Sequence, residues 1–173
     1  MSAKRMEKGG PAAVAPSPSE LLVREMRPDD VHAVATLEAE AFTTPWEAGT
    51  FKTLLRRPGA ELWVAELPGD GVIGYYVLWC IQDQGELANI AVSELFRGRG
   101  FGSRLLDHAL ATAGRRGVES LYLEVRNSNR RARAMYASRG FEQIGTRRDY
   151  YERPREDARV LMKRMEGAPV RER

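Results

Sequence analysis

The chain has 173 residues, 43% of them hydrophobic and 29% charged, with 27 lysines and arginines against 24 acids for a net charge of +3. That length suits one domain and excludes two large ones, while the apolar share excludes the weakly apolar, highly charged class that stays unfolded. So small a basic excess makes no electrostatic case for nucleic acid, and a single cysteine, Cys80, excludes an internal disulfide and a cysteine-based zinc site.

Residues 1–19 hold Pro11, Pro16 and Pro18 among small residues without helical or strand period, which reads as a disordered extension before a domain at 20–166 and a flexible polar tail at 167–173. The start lacks the apolar core of a secretory signal, and no apolar run has the length of a membrane helix, so a cytoplasmic protein is expected. Residues 21–27 suit a first strand, and Pro28, Asp29 and Asp30 suit a helix start. Val31, Val34, Leu37 and Ala41 then recur by three or four on one helix face, closed by Phe42 before Thr43, Thr44 and Pro45. A shorter helix at 47–57 turns Phe51, Leu54 and Leu55 inward until Pro58 and Gly59 stop it.

Leu62, Val64 and Leu67 mark a strand that ends at Pro68-Gly69-Asp70-Gly71, a hairpin turn into a second strand at 72–81. Residues 84–92 offer another, whose Leu87, Ile90 and Val92 break strict alternation and leave room for a bulge. After a glycine-rich stretch at 97–102, Leu105, Leu106, Ala109, Leu110 and Ala113 give a helix that Gly114 and Gly117 can close. Residues 119–126 set Leu121, Leu123 and Val125 against Tyr122 and Glu124, a strand suited to burial on both faces. Asn127-Ser128-Asn129 is a turn and cap before a helix with Ala132, Met135 and Tyr136 on one face, ended by Gly140. Two terminal strands, at 141–151 and 158–165, flank a polar connection at 152–157, which makes the order mixed α/β.

The stretch Arg97-Gly98-Arg99-Gly100-Phe101-Gly102 follows a strand and opens a helix, where unpaired backbone N–H groups can receive a phosphate. Two readings stand on the residues alone: a diphosphate cradle, or an ordinary glycine-rich turn with solvated arginines. It is not a P-loop, since GxxxxGK followed by Ser or Thr is absent, and Gly98-x-Gly100-x-x-Ser103 fits a dinucleotide fingerprint imperfectly. Several strands precede it, whereas a simple Rossmann half begins with it. Arg126, Arg130, Arg131 and Arg133 form a basic cluster without the interleaved aromatics of an RNA-binding motif. His32 and His108 are too separated to make a pair, no metal site is indicated, and Cys80 reads as core.

Arg97-x-x-Gly100-x-Gly102 resembles the acyl-coenzyme A motif of the GNAT superfamily of N-acetyltransferases. Asn89-Ile90-Ala91-Val92, Leu123-Glu124-Val125-Arg126, Ser128-Asn129, Met135-Tyr136 and Gly140-Phe141 resemble its RimI branch, which acetylates N-terminal alanine on a ribosomal protein. Phe42, Pro45 and Trp46 add a match near the start, and Tyr150-Tyr151 with Arg155-Glu156-Asp157-Ala158 one near the end, so the likeness spans 21–165. It implies a single acyl-CoA N-acyltransferase fold: a twisted mixed sheet with splayed central parallel strands and flanking helices. It implies acetyl-CoA as donor, no metal, and direct transfer, which leaves Cys80 without a catalytic role.

By the same resemblance, Ile90, Ala91 and Val92 line the acyl arm, Gly98, Arg99, Gly100, Phe101, Gly102 and Ser103 cradle the diphosphate, and Asn129 touches the cofactor. Glu124 is the base that accepts the amine proton and Tyr136 the acid that protonates the departing sulfur. Trp46, Tyr150, Tyr151, Arg155 and Glu156 are candidates for acceptor recognition. The implied partner is the N-terminus of small-subunit ribosomal protein number eighteen, with no nucleic acid or membrane required and a monomer expected. A broader N-terminal or small-amine acetyltransferase, or a noncatalytic acyl-CoA or RNA-binding module, is the alternative. An α-amine is an easier nucleophile to supply than a lysine, because near pH 7 about 10–20% of the former is neutral against about 0.04% of the latter.

Overall fold

The computed structural model describes residues 15–166, so most of the expected N-terminal extension and all of the expected tail lie outside the described residues. In chain order come β1 (Leu22–Glu25), α1 (Val31–Ala41), α2 (Ala48–Leu54), β2 (Ala60–Leu67), β3 (Gly71–Ile81), β4 (Gln84–Val92) and α3 (Phe101–Arg115). They are followed by β5 (Ser120–Arg126), α4 (Arg130–Ala137), β6 (Glu142–Glu152) and β7 (Arg155–Arg164). One sheet holds the strands in the order β1-β2-β3-β4-β5-β7-β6, and only the β4–β5 pair is parallel.

Period-two alternation gives the sheet two apolar faces. Ala65, Leu67, Tyr76, Leu78, Leu121, Leu123 and Val125 pack with Phe101, Leu105, Leu106, Ala109 and Ala113 of α3. On the opposite face Leu62, Val64, Tyr75 and Val77 pack with Val31, Val34 and Leu37 of α1 and Phe51 and Leu54 of α2. Burying one such side chain contributes about 1.5–3 kcal/mol, which is what holds short helices of modest intrinsic stability on the sheet. Ahead of α1, Arg24 closes the first turn with a two-pronged contact to Asp30 at 2.7 and 2.8 Å. That guanidinium holds the Asp30 carboxyl below its ordinary range.

The bulge that 84–92 left room for is present. Val77 faces Asn89 while Leu78 faces Leu87, so Ala88 is an extra residue in β4. Ala88 and Asn89 consequently both turn toward α1, and only then do Ile90 and Val92 return to the α3 face. β4 pairs with β5 over just three positions, from Gln84 opposite Ser120 to Glu86 opposite Tyr122. Past that point each strand keeps its outer neighbour but not the other, and the sheet opens between them.

Three local features differ from expectation. α3 runs through Gly114 to Arg115, and it is Gly117, at φ 75°, that ends it. The second face of β5 is half-buried, because Tyr122 and Glu124 border a cavity of about 700 Å³. The connection expected at 152–157 is only Arg153-Pro154, since Arg155 pairs with Glu152 and Glu156 with Tyr151 in the β6–β7 ladder. Polar residues hid that strand start: backbone pairing, not apolar burial, extends it.

Candidate active site

The opening between β4 and β5 is a cavity of about 610 Å³. Ile90, Ala91 and Val92 line one wall, and Val125, Asn129, Ala132, Met135 and Tyr136 the other. At its mouth lie Arg97, Gly98, Gly100, Gly102, Ser103 and Arg131. Gly100 enters α3 at φ 86° and Gly98 precedes it at φ 82°, conformations that glycine adopts without a side-chain clash. The first backbone bond of the helix runs from Arg104 N–H to the Gly100 carbonyl at 3.1 Å. The N–H groups of Phe101, Gly102 and Ser103 therefore have no helical carbonyl to meet, and they sit at the positive end of the α3 dipole. A Cβ at Gly98 would stand 3.1 Å from the Arg131 guanidinium, so that cation overhangs the same loop. The unpaired N–H groups, the helix end and the cations make this mouth suited to anionic oxygens, and the interior is an extended strand-lined groove.

Glu124 lines both this cavity and the 700 Å³ one, which lies along the still-paired start of β4 and β5. Its Oε1 lies 2.8 Å from Arg147 Nε, and the side chain keeps 20% of its exposure. Tyr150 faces the same carboxylate; that hydrogen-bonding partner, helped by burial, pushes the phenol up to about 12. Tyr136 borders the cavity at 5% exposure, with Phe141 edge-on at 5.6 Å. Burial, and then the neighbouring Tyr151, drive its hydroxyl well above the ordinary phenol range, so it remains protonated at neutral pH.

Of the residues singled out from sequence, Ile90, Ala91, Val92, Gly98, Gly100, Gly102, Ser103, Glu124, Asn129, Tyr136 and Tyr151 share the cavity wall. Six others stand elsewhere. The Phe101 side chain is 1% exposed in the core against Phe96, leaving only its backbone for a ligand. Arg99 lies over the Phe96 ring at 5.8 Å. Trp46 packs on Phe51 at 5.8 Å, and it is Phe42 from that turn that lines the cavity. Tyr150 is 46% exposed beside Glu124, outside the cavity wall. Arg155 pairs with Asp149 at 2.9 Å. Glu156 accepts hydrogen bonds from the Ser128 backbone and hydroxyl and from Arg126, which fastens the turn before α4 to β7.

The basic cluster also disperses. Arg126 binds Thr43 at 2.8 Å and the Arg153 and Pro154 carbonyls, and lies 4.0 Å over the Tyr151 ring, joining the α1–α2 loop to the β6–β7 turn. Arg133 donates to the Asn127 carbonyl at 3.0 Å. Cys80 is half-buried, and desolvation pushes its thiol up to about 11, which keeps it from being a thiolate nucleophile. Among the described residues no helix is long and apolar enough to cross a membrane, and no group of three or more His, Cys, Asp or Glu could hold a metal ion.

Residues 31–141 match the acetyltransferase (GNAT) family. The chain belongs to this family. Its GNAT frame is close to that of the ribosomal-protein-S18-alanine N-acetyltransferase of Escherichia coli, with a TM-score of 0.79 and 28% identity over 88% of this chain and 99% of that one. The [ribosomal protein bS18]-alanine N-acetyltransferase of Haemophilus ducreyi is 34% identical over 136 residues, 76% of this chain and 92% of that protein. The enzyme of the same name from Escherichia coli K12 is 32% identical over 142 residues, 80% and 94% of the two chains.

Within this GNAT site, sequence reasoning missed Arg147, Arg131 and Glu38. Arg147 reaches Glu124 from β6 and no local pattern links the two. Arg131 was visible as a charge, but only the fold brings it to Gly98. Glu38 left one signal: a carboxylate at a core position of α1, four residues after Val34.

Proposed function

We propose that this acetyltransferase moves the acetyl group of acetyl-CoA to the α-amine of a protein N-terminus, with the N-terminal alanine of ribosomal protein bS18 as acceptor. The observation that carries the reading is the place of Glu124, which borders both the opening that also holds Tyr136 and a second cavity beside it. The names of the Haemophilus ducreyi and Escherichia coli relatives support the choice of acceptor.

In this mechanism the N–H groups of Phe101, Gly102 and Ser103, with Arg97 and Arg131, receive the diphosphate. Peptide groups of Ile90 and Val92, left without a β5 partner by the splay, orient the acyl arm and polarise its carbonyl, while those of Ala91 are held by β3. The arriving amine displaces Arg147 from Glu124, which takes one amine proton as the nitrogen attacks the thioester carbon. The tetrahedral oxyanion collapses, the C–S bond breaks, and Tyr136 gives its proton to the thiolate; solvent carries the Glu124 proton away and restores Tyr136. Tyr150, Tyr151 and Phe42 form the acceptor rim, to which Trp46, Arg155 and Glu156 contribute by holding its loops.

The test incubates the full chain and acetyl-CoA with bS18 and a panel of peptides with different first residues, and locates the acetyl group by fragmentation mass spectrometry. One acetyl on the N-terminal alanine of bS18, formed faster than on unrelated starts, is the expected result. Equal transfer to unrelated starts would replace the bS18 assignment with a broader acceptor range, and no product on any amine would remove the reading.

A further inference from the structure

Glu38 takes no part in the chemistry above, yet at 1% exposure it is the least exposed acid among the described residues. A carboxylate in that position is costlier than an apolar side chain of the same volume unless its oxygens are fully hydrogen-bonded. Three separate elements supply the donors. The Trp46 N–H, in the loop after α1, reaches Oε1 at 2.9 Å. Asn89 Nδ2, on β4, lies 2.9 and 3.1 Å from the two oxygens. The Tyr75 hydroxyl of β3 donates to Oε2.

Asn89 is the residue that the Ala88 bulge turns onto this face, and it lies in the part of β4 that has left β5. It also borders the opening, as does Phe42 from the loop that carries Trp46. One carboxylate thus grips the unpaired half of β4 and the α1–α2 loop together.

We propose that Glu38 is a positioning residue for acetyl transfer: its grip on Asn89 and Trp46 fixes the acyl-bearing strand relative to the acceptor loop, so that thioester and amine meet in register. The inference rests on the acetyl-transfer reading, not on which amine is the acceptor. The diphosphate cradle is built separately at the start of α3, so losing the grip lowers turnover and leaves coenzyme affinity nearly intact.

A reciprocal swap tests this. Glu38→Gln sets an amide N–H₂ against that of Asn89, and Asn89→Asp sets two carboxylates together. The Glu38→Gln/Asn89→Asp double variant restores a donor–acceptor pair of reversed direction: the amide oxygen in the place of Oε1 still accepts from the Trp46 N–H, and the N–H₂ in the place of Oε2 donates to the carboxylate that replaces the Asn89 amide and to the Tyr75 hydroxyl oxygen. Turnover is read on whichever amine the wild-type chain uses, beside coenzyme A affinity and thermal melting. Each single variant is expected to lose about tenfold or more in kcat with coenzyme affinity within about twofold, and the double to recover most of that loss. Should a single variant not fold, Asn89→Ser, which removes the amide donor without adding charge, is measured in its place. Unchanged kcat in the single variants, or a double variant that regains melting temperature but no turnover, would overturn the role. Because each kcat is a ratio to wild type, a failed bS18 assignment leaves this test intact, and a failed swap leaves that assignment intact.

Discussion

Tyr136 carries the simplest test of the chemistry. Its ring is fixed against Phe141 in the cavity wall, so Tyr136→Phe removes the proposed proton donor and almost no packing. Turnover under chemistry-limited conditions is expected to fall by about a hundredfold or more, the usual contribution of a general acid, while coenzyme A affinity measured by calorimetry changes by about twofold at most. Unchanged turnover would end its role as the acid. Glu124, Tyr136 and the glycines were legible because each belongs to a short motif whose spacing carries the resemblance. Arg147 was not, because its contact with Glu124 joins positions 23 residues apart through β5 and β6.

At the scale of elements, two features set the opening and each can be altered alone. Gly100 enters α3 at φ 86°, where an alanine pays the left-handed penalty of about 1–2 kcal/mol. Gly100→Ala is therefore expected to lower the melting temperature and to weaken coenzyme A binding by misdirecting the first N–H groups of α3, both measurable on one sample. Deleting Ala88 removes the bulge while Leu87 stays opposite Leu78 and Asn89 opposite Val77, so residues 89–92 keep their faces and β4 loses only the added bend and twist that carry it away from β5. Acetyl transfer by the deletion variant should be undetectable in the mass assay; retained transfer would show that the splay does not depend on the bulge. Helices and inner strands were readable from their periods, since burial of one face writes itself into the spacing of apolar residues. Residues 155–157 were not, because their strand is held by ladder pairing and by polar contacts such as Ser128 to Glu156.

For the whole molecule, pH response depends on a histidine between sheet and helix. His108 Nδ1 lies 2.9 Å from the Tyr76 hydroxyl, with Trp63 at 4.7 Å, and burial followed by the Arg115 charge lowers its pKa from the ordinary value of 6.5. The unfolded chain then binds the proton more tightly than the folded one. Stability is full above about pH 6.5 and declines as pH falls below it, levelling off under the folded-state pKa. Asp30 acts in a separate window, because its lowered pKa keeps its contribution until pH drops beneath 3.8. Melting temperature is accordingly expected to fall between about pH 7 and pH 5, and His108→Gln, which can still bond Tyr76, to flatten that fall; an equal slope in both proteins would refute the assignment.

The amino-acid order by itself determined the mixed α/β class, the strand and helix sequence and the glycine-led start of α3, because periodicity and turn chemistry are local properties; Glu124 and Tyr136 were nominated by the family resemblance of the motifs that hold them. Only the tertiary structure decided how far β4 and β5 stay paired, that Glu38 is fastened to Asn89 and Trp46, and that Arg147 reaches Glu124. Those contacts join segments remote in the chain, and their energy arises only when the two faces of the sheet are already packed.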